Sequence, residues 1–129
     1  MSSIFTRIVN GEIPCYKIAE TDDYLAFLDV FPLVEGHTLV IPKKEIDLIW
    51  DLEDKMLAEL HIFAKQVAHK VKKAIPCSRI GMSVIGLEVL HAHIHLIPMD
   101  NVSDMDFSRP KLKITAERME EIAKAIRIA

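Results

Sequence analysis

Three histidines stand at every second position of one short segment of this 129-residue chain, at His91, His93 and His95. The residues between and after them are apolar: Ala92, Ile94, Leu96 and Ile97. Because successive side chains of a strand point to opposite faces, this alternation predicts a β-strand with one apolar face and one imidazole face. A core strand gains nothing from imidazoles, and a solvated face is more simply made from Lys, Glu or Thr. The pattern therefore favours a chemical site.

Metal binding is one chemistry open to such a pattern. Two histidines at positions i and i+2 of a strand can share a zinc ion, with N–Zn distances of about 2.0 Å. On a strand the Cα atoms of His91 and His95 would lie about 13 Å apart, so the third histidine cannot easily join them. A mononuclear site would then need a distant ligand such as His37 or Asp29. We expect no metal at the histidines, and a metal-dependent hydrolase stays an alternative.

Nucleophilic catalysis fits the spacing better. A neutral imidazole, with a reference pKa near 6.5, attacks phosphorus or acyl carbon at pH 7. It needs an acceptor for the proton on its second nitrogen and hydrogen-bonding neighbours around the developing oxyanion. The middle histidine is best surrounded, so His93 is the predicted nucleophile, with His91 and His95 as its support. The serines of the chain stand in no nucleophile-elbow context.

Composition limits the class of protein. Half of the residues are apolar, 27% are charged and the formal net charge is −3, which indicates a globular chain that does not bind nucleic acid. No apolar run approaches the ~20 residues of a membrane span, and the first residues lack the layout of a signal peptide. Cys15 and Cys77 are isolated thiols without metal or redox spacing. We expect one domain over residues 1–129 in a cytoplasmic protein with reduced cysteines and no membrane association.

The order of predicted elements indicates an α+β fold. A short helix capped by Ser2 or Ser3 ends at Val9, a long central helix covers residues 52–74, and a C-terminal helix covers 115–128. The predicted extended segments and strands cover residues 16–19, 24–30, 37–41, 79–85 and 89–98, with a turn at 86–88 between the last two. Short links between neighbouring strands predict an antiparallel sheet of about five strands.

The histidine segment and several other segments of the chain resemble the sequence motifs of a known family. The run from His91 to Ile97 matches the His-φ-His-φ-His-φ-φ signature of the histidine triad (HIT) family of nucleotide hydrolases and transferases. Residues 4–14 resemble the N-terminal motif of that family, and residues 25–32 followed by 36–44 resemble its nucleotide-binding strands and turn. These motifs cover a core of about residues 4–98 and leave the C-terminal loop and helix, 99–129, without a motif.

The resemblance implies a role for each polar residue that it matches. His93 takes the position of the nucleophile, which forms a nucleotidyl-histidine intermediate at the α-phosphorus. His95 matches the histidine that contacts the α-phosphate and leaving group, and the backbone carbonyl of His91 can hold the Nδ1–H of His93. His37 matches a fourth, buttressing histidine, and Asp29 matches the carboxylate that binds the ribose hydroxyls. An apolar clamp around the base is implied at Ile4, Phe5, Ile13, Phe27 and Leu39.

The implied activity is hydrolysis or nucleotidyl transfer at the α-phosphate of purine nucleotide conjugates, such as nucleoside phosphoramidates, by a homodimer without a cofactor. The physiological substrate, the leaving group and the base preference stay open. The alternative from another class is a nucleotide-binding module with little turnover.

The chain also departs from the family pattern at two places. The segment from Gly81 to Leu90 is shorter than the usual Gly-rich loop, Leu87 replaces a glutamine, and Glu88 brings a carboxylate close to the expected phosphate. A missing amide donor weakens oxyanion stabilisation by about 2.7–4 kcal/mol where one donor is removed. Some bacterial relatives hold a structural zinc where this chain has Thr6 and Glu45, so we expect no zinc there.

Overall fold

The structure, a computed structural model, is described here for residues 2–129. It is an α+β fold with one five-stranded antiparallel sheet, in the order β1-β2-β3-β5-β4, and three α-helices. The strands are β1 (Lys17–Glu20), β2 (Tyr24–Leu28), β3 (Thr38–Pro42), β4 (Arg79–Ser83) and β5 (Ile94–Met99). The helices are α1 (Ile4–Val9), α2 (Asp54–Ala74) and α3 (Ala116–Arg127), and short 3-10 turns occupy Ile49–Asp51 and Val102–Met105. The predicted fold class is confirmed, including the long central helix and the C-terminal helix.

The histidine segment differs from its prediction. The alternating pattern predicts a strand that begins at Val89, and this is wrong, since β5 begins at Ile94. His91 and His93 precede the strand, and only His95 lies within it. The other element ends fall within two residues of their predicted positions, which is the ordinary uncertainty of helix and strand boundaries.

The cause of this difference lies in the hydrogen bonds of the loop before β5. Residues 84–93 connect β4 to β5, in place of the three-residue turn predicted at 86–88. Near the end of this loop the N–H of Ala92 donates to the carbonyl of Ile46 at 2.7 Å, outside the strand ladder. Ala92 is nevertheless buried in the same core as Ile94. The apolar alternation therefore continues beyond the strand although the ladder does not.

Helices α2 and α3 cover one face of the sheet. Alternate residues of β2, β3 and β5 point to this face, as the period of a strand requires, and they are Ala26, Leu28, Val40, Ile94 and Leu96. They pack against residues at helical spacing on the two helices, namely Leu60, Phe63, Ala64, Val67, Val71, Met119, Ile122, Ala123 and Ile126. The four residues on α3 are all buried. Within residues 2–129, no helix has both the length and the apolarity that crossing a membrane requires.

The other face of the sheet carries a second, smaller apolar cluster. The residues between those of the main core point here, so β2 and β3 are buried on both faces. The cluster consists of Phe5 from α1 with Leu25, Phe27, Leu39 and Ile41 from the sheet. Because α1 is short, it covers only part of this face, and the rest stays open beside the histidine segment.

The packing of α2 on the sheet can be tested at Leu60, which is 0% exposed. Replacing a buried leucine by alanine removes transfer energy and leaves a cavity, so Leu60→Ala should lower the free energy of unfolding by about 2–5 kcal/mol. Leu87→Ala is the matched control, because Leu87 is 86% exposed, and it should change stability by less than about 0.5 kcal/mol. Urea unfolding followed by circular dichroism gives both values. Equal effects would contradict this packing.

Candidate active site

A cavity of about 450 Å³ opens on the partly covered face of the sheet. This volume is within the usual range of small-molecule sites. Nine of the ten residues predicted for the site line it: Ile4, Phe5, Ile13, Phe27, Asp29, Leu39, His37, His93 and His95. The tenth, His91, is fully buried and lies behind the lining.

Four aromatic rings form a row along this cavity. The ring centroids of Phe5 and His93 are 5.0 Å apart, those of His93 and His95 4.9 Å, and those of His95 and Phe107 4.8 Å, all edge-to-face. Phe5 also packs edge-to-face on Phe27 at 5.6 Å. The two histidines therefore lie between an apolar end of the cavity, around Phe5 and Phe27, and an end closed by Phe107.

The tautomer of His93 follows from a single hydrogen bond. His93 Nδ1 lies 2.7 Å from the backbone carbonyl of His91. A carbonyl only accepts, so His93 carries its proton on Nδ1 and a lone pair on Nε2. Within residues 2–129 every buried side-chain nitrogen or oxygen has a hydrogen-bond partner. His93 Nε2 has none among these residues, so it is open to the cavity.

The tautomer of His95 follows from a chain of two hydrogen bonds. The backbone N–H of Leu33 donates to His37 Nδ1 at 3.0 Å, so neutral His37 carries its proton on Nε2. That proton is donated to His95 Nδ1 at 2.9 Å, which leaves the proton of His95 on Nε2. The cavity wall thus combines a lone pair on His93 with an N–H donor on His95.

His91 connects the histidine segment to α1 and β3. Its Nε2–H donates to the carbonyl of Pro42 at 2.8 Å, and its Nδ1 accepts from the hydroxyl of Ser3 at 2.8 Å. Ser3 caps α1, and both its backbone N–H and the hydroxyl of Thr6 donate to Glu45 at 2.6 Å. This network fixes the position of His91, and with it the carbonyl that orients His93.

The same network bears on the expected absence of a structural zinc. Four side chains could surround an ion at this place, namely those of Thr6, Glu45, Ser3 and His91. Serine and threonine hydroxyls are not among the usual zinc ligands. The hydroxyl of Ser3 also donates a hydrogen bond to His91, and that of Thr6 donates one to Glu45. The residues present do not fit a structural zinc.

A second set of possible metal ligands lies in the cavity wall. Asp29, His37 and His95 each offer one ligand atom, and these atoms lie within 4.8 Å of one another. However, His37 Nε2 holds the proton that it donates to His95 Nδ1, and both nitrogens are therefore engaged. A metal on His37 Nε2 would require the proton to leave while Leu33 N–H still occupies Nδ1. The arrangement fits hydrogen bonding better than metal binding.

Burial keeps the four histidines neutral. It lowers the pKa of His37 to about 4 and that of His95 to about 3, and it lowers the pKa values of His91 and His93 as well. Neutral rings are what the tautomer assignments require. Burial also raises the pKa of Asp29, whose Oδ1 accepts the N–H of Phe31 at 2.8 Å.

Two further lining residues come from the C-terminal region, which the sequence motifs do not reach. Phe107 and Lys111 line the cavity beside His95. No local pattern marks them, because they reach the site only through the return of the chain after β5. The loop residues Leu87 and Glu88, at which the sequence departs from the motif pattern, also line the cavity.

The neutral histidines predict a loss of stability at mildly acidic pH. Below pH 6.5 the unfolded chain takes up protons on histidines that stay neutral when folded, so the free energy of unfolding falls until the pH reaches the folded pKa values. His37 and His95 together should account for about 2 kcal/mol between pH 6.5 and 5.5, where carboxylates titrate little.

Urea unfolding across this pH window checks the prediction. His95→Gln should reduce the loss, whereas His69→Gln, at an exposed position on α2, should leave it unchanged. A free energy of unfolding that stays constant from pH 6.5 to 5.5 would show that these histidines are not held neutral.

Comparison with known proteins agrees with the fold and with the histidine motif. A family model for the HIT domain matches residues 10–102. The adenosine 5′-monophosphoramidase of Schizosaccharomyces pombe is 36% identical over an alignment of 132 positions, which covers 98% of this chain and 96% of that protein. A Hit-like protein involved in cell-cycle regulation from Bartonella henselae superposes with a TM-score of 0.86 at 32% identity, covering 98% of this chain and 95% of the other. A Zn-bound histidine triad family protein from Mycobacterium smegmatis gives a TM-score of 0.83 at 26% identity, with 99% and 92% covered. By both sequence and fold, this chain belongs to the histidine triad (HIT) family.

Proposed function

We propose that this protein is a nucleotide hydrolase or nucleotidyl transferase that cleaves purine nucleotide conjugates, such as nucleoside phosphoramidates, at the α-phosphorus. One observation carries the proposal: His93 donates its Nδ1 proton to the carbonyl of His91 and leaves its Nε2 open to the cavity. A neutral imidazole with a free lone pair on the wall of a cavity is an oriented nucleophile. The similarity to a yeast adenosine 5′-monophosphoramidase supports the choice of a nucleoside phosphoramidate as substrate class.

The reaction proceeds in two displacements. His93 Nε2 attacks the α-phosphorus, the bond from phosphorus to the leaving nitrogen breaks, and the amine departs with a proton from solvent. Water then attacks the nucleotidyl-histidine, the P–Nε2 bond breaks, and a proton returns to solvent with the mononucleotide. One proton is taken up in the first step and one is released in the second, so the two steps together balance. No metal or cofactor takes part in these steps.

His95 supplies a donor to the reacting phosphate. Its Nε2–H is fixed by the chain that runs from Leu33 N–H through His37. A preorganised donor at a developing oxyanion contributes about 2.7–4 kcal/mol of transition-state stabilisation. His37 acts through His95 as a positioning residue, and His91 acts through its carbonyl.

The base and the ribose of the nucleotide would bind at different parts of the cavity. The apolar end around Phe5, Phe27 and Leu39 is suited to a purine ring, because aromatic side chains stack or pack against flat heterocycles. Asp29 has one carboxylate oxygen on the Phe31 N–H, and its other oxygen, 3.6 Å from His37 Nε2, has acceptor capacity for a ribose hydroxyl.

The test of the nucleophile is release of AMP from adenosine 5′-phosphoramidate. His93→Ala should lower kcat by about 10³-fold or more, because the first displacement loses its nucleophile. His69→Ala is the control, since His69 lies exposed on α2 and away from the cavity, and it should keep the wild-type rate. Wild type denatured in alkaline detergent, in which the P–N bond is stable, should also retain labelled nucleotide on His93. Undiminished release of AMP by His93→Ala would refute the proposal.

A nucleotide-binding module with little turnover is the second candidate. Glu88 lines the cavity, and the exposed apolar side chain of Leu87 offers no hydrogen bond to a phosphate. This candidate gives AMP binding by calorimetry without a burst of AMP from the phosphoramidate and without a trapped intermediate. Single-turnover measurements with excess enzyme therefore decide between the two candidates.

We further propose that the protein is a homodimer that pairs through β4. This strand is at the edge of the sheet, and its neighbourhood exposes Met82 and Val84, which are 55% and 39% exposed. An apolar strand edge with free backbone groups tends to pair with another chain.

The dimer predicts a solution mass twice the 14.7 kDa of one chain. Met82→Glu places a charge on this edge and should shift the protein towards the monomer in size-exclusion chromatography with light scattering. Leu48→Glu, at an exposed position outside β4, is the control and should not. A monomeric wild type at micromolar concentration would contradict the pairing.

A further inference from the structure

The chain that follows β5 turns back and closes one end of the cavity. We call residues 102–112 the strap. At its middle Phe107 packs edge-to-face on His95, and the ring centroid of Phe107 lies 6.1 Å from that of His37. At its end the N–H of Leu112 donates to the carbonyl of Pro32 at 2.8 Å. The strap is thus attached to the wall that holds the two histidines.

Hydrogen bonds within the strap hold it in a defined conformation. The backbone N–H of Arg109 donates to the carbonyl of Asp106 at 3.1 Å, and the N–H of Ser108 donates to Asp106 Oδ1 at 2.9 Å. Lys111 Nζ donates to the carbonyl of Phe107 at 2.6 Å and, at 3.3 Å, to that of Arg109. These contacts bring the lysine to the mouth of the cavity.

Lys111 is the cation among the described residues that line the cavity. The other formal charges there are the carboxylates of Asp29 and Glu88. An ammonium group has three donors, and two of those of Lys111 are on strap carbonyls, so the third is free for a ligand. Burial is the largest influence on the pKa values of these neighbours: it raises that of Asp29 and lowers those of His37 and His95. The charge of Lys111 also acts against protonation at all three, which agrees with a position close to them.

Binding of a phosphate in this cavity therefore requires a positive charge that the histidines do not supply. They are neutral, and a phosphate that enters would face two carboxylates. The loop that carries Leu87 and Glu88 offers no amide side chain to compensate. A cation from another part of the chain would satisfy this requirement, and the strap places one at the cavity.

We propose that Lys111 is a phosphate-binding residue of this site and contributes the positive charge that holds the α-phosphate of the bound nucleotide beside His93 and His95. This inference rests on the proposed function and assigns a role to the region outside the family motifs. The lysine is flexible and exposed, so its ammonium group can leave a strap carbonyl to contact a phosphate oxygen. Lys111 thereby replaces, by charge, the hydrogen-bond donor that the loop lacks.

The test compares the binding of AMP and adenosine by calorimetry. Lys111→Met keeps most of the side-chain length and removes the charge, so it should weaken AMP binding about tenfold, as expected for a lost charge-assisted hydrogen bond. Binding of adenosine, which has no phosphate, should change by less than about twofold. Lys111→Arg should retain most of the AMP affinity.

Lys113→Met is the matched control. It removes the same charge from an exposed position two residues away that does not line the cavity, and AMP binding should stay at the wild-type value. High salt should weaken AMP binding to wild type more than to Lys111→Met, because screening acts on the charge that the variant lacks. Equal melting temperatures of wild type and the three variants would exclude unfolding as a cause.

Three results would overturn the inference. If Lys111→Met binds AMP as wild type does while wild type still hydrolyses the phosphoramidate, Lys111 has no such role and the proposed function stands. If the variant loses affinity for adenosine 3′-monophosphate but not for AMP, the lysine faces the ribose and not the α-phosphate. If wild type binds neither AMP nor adenosine, both this inference and the proposed function fail.

Discussion

The hydrogen bond from His93 Nδ1 to the carbonyl of His91 is the interaction on which the site depends. A backbone carbonyl only accepts, so the bond of 2.7 Å places a proton on Nδ1 of His93 and assigns the tautomer of the neutral ring. The carbonyl is in turn held by the buried ring of His91, which is bonded to Pro42 on one side and Ser3 on the other. A second fixed donor, the N–H of Leu33, assigns the opposite tautomer to His95 through His37. Two neighbouring rings of the same residue type thus acquire different chemical roles.

The bond from His93 to the carbonyl of His91 depends on these two residues lying outside the sheet. In a strand the carbonyls lie in the plane of the sheet and the side chains stand perpendicular to it. A side chain at position i+2 therefore cannot easily reach the carbonyl at position i. Because β5 begins only at Ile94, the carbonyl of His91 is outside the ladder and available to His93. The large core on the opposite face, with α2 and α3 packed on the sheet, provides the rigid support for this arrangement.

Much of the fold could be predicted from the sequence, because its signals are local. Helical spacing marked the buried faces of α2 and α3, and apolar runs marked the paired strands. The start of β5 could not be predicted in this way, since the buried position of Ala92 continues the alternation of Ile94 and Leu96 into the loop. The residues around the cavity could be anticipated from motifs, although the roles assigned to them remain proposals. Phe107 and Lys111 could not, because only the return of the chain after β5 brings them to His95.

The central claim concerns protons on nitrogen atoms, and nitrogen-15 NMR of histidine-labelled protein observes them directly. At pH 7 long-range proton–nitrogen correlations should show His93 as the neutral tautomer with its proton on Nδ1. The rings of His37, His91 and His95 should appear as neutral tautomers protonated on Nε2. A His93 that carries its proton on Nε2, or on both nitrogens at that pH, would have no lone pair directed into the cavity and would contradict the account.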